Sequence, residues 1–286
     1  VPEPSHGAVP EGAADEASAA LAVRAMFDAI APKYDLLNHV LSFNIDRLWW
    51  WSTARKFRSI LRRPEAAILD ICCGTGDMTM ALVRHRPAGA RPILAADFAH
   101  QMLVRGARKF AGHASQLPVT LPASKPVSPP ISPQASAPLK SASPPAAIAL
   151  EADAMRLPVR SRSLNLITTA FGFRNLRNYR DGLAEFHRAL APGGQLGILD
   201  FSEPGGLIGK LYAFYFRRVL PAIGSRISGV AGPYAYLPSS VERFPAPAQM
   251  LELMRSVGFE NVSWTPYSFG IAGLYRASRA RTGARP

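Results

Sequence analysis

The sequence predicts an α/β protein: a doubly wound, mostly parallel sheet with an antiparallel hairpin at one edge and a helical N-terminal extension. Three observations predict it. From residue 67 onward, short apolar runs of strand length alternate with amphipathic stretches of helix length, as in a parallel sheet covered on both faces. The first run, Ile68-Leu69-Asp70-Ile71-Cys72, passes into a Gly74-Thr75-Gly76 turn that opens a helix. At the far end two strand-like segments follow one another without a helix between them, which predicts an antiparallel edge.

Taken in order, residues 1–19 are Ala, Glu, Gly and Pro without an apolar period and read as a disordered arm. Ala20 to Ile30 reads as an Ala-rich helix stopped by Pro32, and a second helical pattern runs from Ile45 to Leu61. Buried strands are expected at Ala67–Cys72, Pro92–Ala96, Ile148–Ala152, Leu164–Ala170 and Gln195–Phe201. Helices are expected at Met78–His85, Ala99–Phe110 and Tyr179–Leu190. A helix over Pro247–Val257 precedes the last two strands, Phe259–Trp264 and Phe269–Tyr275. Residues 112–147 interrupt the pattern with nine prolines, seven serines and two charges. Proline fixes φ and removes a donor, so neither helix nor sheet propagates there, and the segment reads as an extended surface insertion. One domain is expected over 20–276, interrupted at 112–147, with a basic tail at 277–286.

Composition narrows the function classes. Hydrophobic residues make up 48% and charged residues 19% of 286, enough for a sizeable core and too apolar for a disordered chain. A spanning helix needs about 18 uninterrupted apolar residues. The best candidate, Leu207 to Ile223, is broken by Lys210, Arg217 and Arg218. Residues 1–20 hold four acids and no Lys or Arg, the wrong charge for a signal or transit peptide. The two cysteines, adjacent at Cys72 and Cys73, make neither a disulfide framework nor a four-ligand zinc site, and they read as small residues in a tight turn. The expectation is a cytoplasmic, reduced protein without a metal. Its net charge of +13 belongs mostly to the folded body, because the acidic first 20 residues offset the tail arginines. Such a surface favours nucleic acid, acidic ligands or anionic lipid head groups.

The sharpest chemical signal is the turn after the first strand. Glycine is needed where the backbone turns tightly and a ligand approaches it closely. The third glycine of the dinucleotide fingerprint is replaced by Thr79, which favours a nucleoside ligand without a pyrophosphate. Asp97, 21 residues beyond Gly76, ends the second strand, where a carboxylate accepts hydrogen bonds from both ribose hydroxyls. Asp153-Ala154 follows the third strand, where an acid meets an adenine amino group. Acids at three successive strand ends point to S-adenosylmethionine over an empty structural turn.

Longer motifs carry a specific resemblance. The run Met26-Phe27-Asp28-Ala29-Ile30-Ala31-Pro32-Lys33-Tyr34-Asp35-Leu36-Leu37-Asn38-His39-Val40-Leu41-Ser42-Phe43 resembles the opening signature of the ubiquinone/menaquinone biosynthesis C-methyltransferase family. So do Phe171-Gly172-Phe173-Arg174-Asn175, Leu190-Ala191-Pro192-Gly193-Gly194 with Asp200-Phe201-Ser202, and the ending Phe269 to Arg276. The resemblance spans roughly residues 22–112 and 147–276. Departures are Asn44 for a common glycine, Asp46 for a histidine, Ala191 for a lysine and Asp200 for a glutamate.

The resemblance implies a class I S-adenosylmethionine-dependent methyltransferase, a Rossmann-like fold that methylates a ring carbon of a polyprenylated quinol. By motif match, Asp70, Gly74, Thr75 and Gly76 line the methionine and ribose end of the donor, Asp97 holds the ribose, and Asp153 with Ala154 frames the adenine. Ala170 stands where the family often has a serine, leaving only backbone contact there. Arg174 is expected to stabilise a developing phenolate and Asn175 to orient a ring oxygen. Tyr34 and Asp35 fall on a segment expected to fold over the pocket. Asp35 or His39 is either the base or a solvated or capping residue. Demethylmenaquinol is the preferred acceptor, a polyprenyl methoxybenzoquinol the alternative, and RNA or a soluble metabolite a more distant one; no nucleic-acid partner is expected. Of Trp49-Trp50-Trp51, consecutive on a helix at 100° intervals, at least one is expected to reach a pocket or an interface. The aromatic and basic stretch from Leu207 to Leu220 is either a packed helix or a lipid-facing one. Peripheral contact with the inner face of the membrane and a homo-oligomer complete the expected partners.

Overall fold

A computed structural model gives the architecture, and it describes residues 7, 16–31, 42, 44–114, 145–204, 206, 209 and 233–281. The helices are α1 (Glu16–Ile30), α2 (Ile45–Lys56), α3 (Arg58–Leu61), α4 (Asp77–Val83), α5 (His100–Ala114), α6 (Tyr179–Ala189), α7 (Pro233–Arg243) and α8 (Pro247–Ser256). The strands are β1 (Ile68–Ile71), β2 (Ile93–Asp97), β3 (Ala147–Glu151), β4 (Leu164–Ala170), β5 (Leu190–Phe201), β6 (Glu260–Tyr267) and β7 (Ala272–Ser278). They form one sheet in the order β3-β2-β1-β4-β5-β7-β6. The first five strands are parallel and β7 runs antiparallel to both neighbours. The expected edge hairpin is present with its second strand inside, hydrogen-bonded to β5.

Strand β1 is buried on both faces, so its side chains serve two cores. Leu69 and Ile71 join Phe173, Tyr179, Phe186 and Met254 on one side. Ile68 joins Phe57, Leu61, Leu82 and Phe110 on the other. The pattern read as one helix over 45–61 is two, broken at Phe57, whose buried ring lies against Gly197 of β5. A Cβ on Gly197 would come within 2.5 Å of that ring, so the close approach requires glycine. Asn44 sits at φ 60° ahead of α2, a left-handed position that asparagine tolerates.

Several boundaries differ from the sequence reading. Helix α1 begins at Glu16, because Glu16-Ala17-Ser18-Ala19 are adequate helix formers contiguous with the Ala-rich run. Helix α5 continues to Ala114 and β3 starts at Ala147, inside the limits read for the insertion. Strand β5 starts at Leu190, which pairs with Leu164 before the Pro192-Gly193-Gly194 irregularity. Helix α7 has no counterpart in the sequence reading; Pro238 lies within it and hides its period. Among the described residues no helix is long and apolar enough to cross a membrane, and no cluster of metal-ligating side chains occurs. The stretch 210–232, with most of Leu207–Leu220, lies outside the described residues, as do Tyr34, Asp35, Asn38 and His39.

Candidate active site

A cavity of about 390 Å³ opens at the carboxyl ends of β1 to β4, where a doubly wound sheet keeps its ligands. The β1–α4 turn forms its floor. Gly74 (φ 55°) and Gly76 (φ 85°) are both left-handed, and Gly76 donates to the Cys73 carbonyl at 2.9 Å. Beside them Asp97, almost fully buried, accepts from the backbone N–H of Gly74 at 2.7 Å and of Ala99 at 2.9 Å. Burial raises its carboxyl above the usual value and these N–H groups pull it back. A carboxylate offers about four lone-pair sites, so acceptor capacity remains for ligand hydroxyls.

Asp153 and Ala154 line the same cavity. Asp153 caps its own turn by accepting from the Met155 N–H at 2.8 Å and takes Arg177 Nη1 at 3.2 Å. Glu151, at the end of β3, joins His100 of α5 at 3.0 Å and also Arg24 of α1. That clamp holds α1 across the cavity, where Leu21, Arg24 and Phe27 form a wall.

The lining includes four carboxylates (Asp77, Asp97, Glu151, Asp153) and two guanidiniums (Arg24, Arg177). Both arginines are already engaged by Glu151 and Asp153, and Lys109 pairs with Asp77 at 2.9 Å, so within a chain of net charge +13 the lining keeps one carboxylate, Asp97, beyond its ion pairs. This disfavours phosphates and suits a cation. A nucleoside sulfonium, with vicinal hydroxyls for Asp97 and an adenine for the Asp153–Ala154 edge, fits these donors, acceptors and volume.

Two non-glycine residues at the cavity are left-handed: Cys72 (φ 54°) after β1 and Phe171 (φ 58°) after β4. Such positions cost about 1–3 kcal/mol each and persist where the surroundings fix them. Gly172 makes the pair possible, since a Cβ there would come within 2.3 Å of Cys72 Cβ. Burial pushes both the Cys72 and Cys73 thiols up, which makes them packing groups. The Phe171 ring meets those of Phe201 at 4.6 Å and Trp49 at 5.8 Å in tilted contacts. The three tryptophans divide as helical geometry requires: Trp49 is buried, Trp50 lines the cavity, and Trp51 is exposed.

The structure brings together Gly74, Thr75, Asp97, Asp153, Ala154, Ala170 and Asn175 at this cavity. Gly76 stands directly behind the turn, with Phe110 where a Cβ would go. Two residues depart from the sequence reading. Asp70 does not line the cavity; it is buried beneath the turn, accepting from Thr79 Oγ1 at 2.6 Å and Thr168 Oγ1 at 2.7 Å. Its place in mid-strand, paired with Ala95 and Thr168, points the carboxylate at α4. Arg174 does not line the cavity either. Its guanidinium is buried against Asp200 at 2.7 Å and reaches the Phe171 carbonyl, while its backbone N–H meets the second Asp200 oxygen at 3.1 Å. The Asp200 carboxylate at the end of β5 draws this charge inward, away from the pocket. Sequence reading did not single out Glu151 and named Asp200 only within a motif, without a role; both are acids at strand ends, the same signal that singled out Asp97.

This fold and site define a class I S-adenosylmethionine-dependent methyltransferase. Solved structures agree on the fold. A possible histamine N-methyltransferase from Thermotoga maritima superposes with a TM-score of 0.55 at 15% identity, over 89% of this chain and 98% of its own. A methyltransferase from Methanococcus maripaludis gives 0.51 at 12%, over 97% and 99%. The family model of the ubiE/COQ5 methyltransferase family matches residues 14–123 and 139–279, and the chain belongs to that family. Demethylmenaquinone methyltransferase of Deinococcus radiodurans is 40% identical over 255 residues, 89% of this chain and 91% of its own. Its Thermus thermophilus counterpart is 39% identical over 89% and 100%. The ubiquinone/menaquinone biosynthesis C-methyltransferase UbiE of Geobacter sulfurreducens is 36% identical over 90% and 88%. The chain is an S-adenosylmethionine-dependent C-methyltransferase of quinone biosynthesis.

Proposed function

We propose that this enzyme methylates a ring carbon of demethylmenaquinol to give menaquinol. The observation that carries the reading is the pairing of a sulfonium-compatible pocket with an apolar and aromatic wall, Trp50, Phe27 and Phe171, of the kind a fused quinol ring occupies. The names of the 40% and 39% identical relatives support the naphthoquinol over the benzoquinol.

Bound S-adenosylmethionine supplies an electrophilic methyl group. Everything else is the work of side chains in this chain. In this reading Asp97 fixes the ribose, Asp153 and the Ala154 backbone hold the adenine edge, and the Gly74-Thr75-Gly76 turn takes the methionine end. Ala170 offers backbone alone. A quinol ring carbon becomes nucleophilic as a ring hydroxyl gives up its proton, so the protein must orient the ring, favour the phenolate and exclude water. Asn175 faces the cavity beside Phe171 and orients a ring oxygen by donating its amide N–H. Arg174 acts one layer back: its pair with Asp200 fixes the 3-10 turn Phe173–Asn175 that carries Asn175. Tyr34 and Asp35 remain proposed partners of the acceptor, with Asp35 or His39 the base.

The test is turnover with labelled S-adenosylmethionine and either reduced short-chain demethylmenaquinol or its methoxybenzoquinol counterpart. Label in the naphthoquinol is expected. Label in the benzoquinol alone would move the assignment to ubiquinone biosynthesis.

A further inference from the structure

Helix α2 has two faces with opposite duties. Trp49, Thr53 and Ala54 face the core and Trp50 lines the cavity. On the other side Ile45, Leu48 and Trp51 are 40%, 57% and 46% exposed, three of the few large apolar side chains in the described chain that face water. Spaced three apart, they share one side of the helix. Phe269, 82% exposed, adds a fourth on the turn tied to α2 by Trp49 Nε1 donating to Ser268 Oγ at 2.9 Å.

Exposed cations are dense on this helix and just after it. Arg47, Arg55, Lys56, Arg58, Arg62 and Arg63 are all exposed on α2, α3 and the residues after them, against one exposed acid, Glu65, which pairs with Arg63. Arg55 lies over the Trp51 ring at 4.6 Å. Partial burial and then Arg58, Arg55 and Arg62 hold His85 below its usual pKa, so the three guanidiniums share one field.

We propose that this outer face of α2 is the surface by which the protein rests on an anionic phospholipid bilayer. A tryptophan and two aliphatic side chains among arginines match the chemistry of an interface: apolar tips at the acyl boundary, guanidiniums at the phosphates. Each cation near an anionic surface strengthens binding roughly five-fold. A second copy is disfavoured, because two such faces would oppose their arginines. A nucleic acid would use the cations and leave Leu48 and Ile45 in water. The geometry also gives the surface a purpose, since Trp50 meets the cavity two residues from Leu48. That purpose, delivery of a membrane-borne acceptor, rests on the quinol reading; the surface itself does not.

The experiment is co-sedimentation of the full chain with vesicles of phosphatidylcholine alone or with a third phosphatidylglycerol, at low and high salt. Two double variants, Leu48→Asn with Trp51→Ser and Arg55→Gln with Arg58→Gln, go through the same assay. Binding to the anionic vesicles only, lost at high salt and weakened at least about tenfold in either variant, is the expected result. Binding by the variants as tight as wild type overturns the proposal, as does no binding by any form. So does self-association or RNA binding that the same variants abolish while vesicle binding persists. Turnover of a water-soluble short-chain quinol serves as the separate control: it stays at the wild-type level in the variants, and its absence in wild type would count against the quinol reading alone.

Discussion

At the residue scale, two buried carboxylates of β1 and β5 set the shape of the site without touching its contents. Asp70 is lifted by burial from 3.8 to about 6, against the opposing pull of the Thr79 and Thr168 hydroxyls. A carboxyl raised in the folded state contributes stability that is present below its unfolded pKa and lost as pH rises through the folded value. The stability of Asp70→Asn relative to wild type should therefore rise between about pH 4 and about pH 6, by about 3 kcal/mol over the whole range. Urea unfolding of both proteins across that range checks it; a difference that does not change with pH would contradict it. Asp200 holds the buried charge of Arg174. Asp200→Ala should cost about 3–5 kcal/mol, and adding Arg174→Met should restore part of the loss. Equal unfolding midpoints for the single and double variants would refute the pairing. Asp97 was legible from its position at a strand end, because ribose recognition needs an acid there. The inward turn of Arg174 was not legible, because its partner lies 26 residues away on a neighbouring strand, a contact that only the β4–β5 register creates.

At the scale of elements, one clamp decides how closed the pocket is. Glu151 ties α1 through Arg24 and α5 through His100, and Asp28 of α1 accepts from the Gln101 N–H at 2.9 Å. The ion pairs are exposed, so Glu151→Gln should change global stability by less than about 1 kcal/mol. Local opening of α1 is another matter. Its amides should exchange with solvent several-fold faster in the variant while β1 and β4 keep their protection, as read by hydrogen exchange with mass spectrometry. Unchanged exchange in α1 would show that packing of Val23 and Phe27, not the clamp, holds the helix. The alternating strands and helices were plain in the sequence, since parallel strands are short and apolar and their helices amphipathic. Helix α7 was hidden by Pro238, and the break at Phe57 by a period that continues across it.

At the scale of the molecule, the charge is divided: a pocket with one carboxylate beyond its ion pairs inside a strongly basic body. The family model passes over residues 124–138 of the Pro- and Ser-rich stretch. Replacing 124–138 by a short Gly-Ser linker should leave donor affinity within about two-fold and stability within about 0.5 kcal/mol, as for surface changes elsewhere. Calorimetry and thermal unfolding of the shortened chain would contradict this with a large loss in either. The central claim is that the cavity beside Asp97 brings the donor's methyl group to a quinol ring carbon. Its most direct test is turnover with isotopically labelled S-adenosylmethionine and short-chain demethylmenaquinol, wild type against Asp97→Ala, with the labelled atom located in the product. The account predicts label on a ring carbon, and a donor KM raised at least about tenfold in Asp97→Ala, the worth of a charged hydrogen bond to the ribose. An unlabelled quinol from a wild-type enzyme that binds its donor normally, or an unchanged donor KM in the variant, would contradict it.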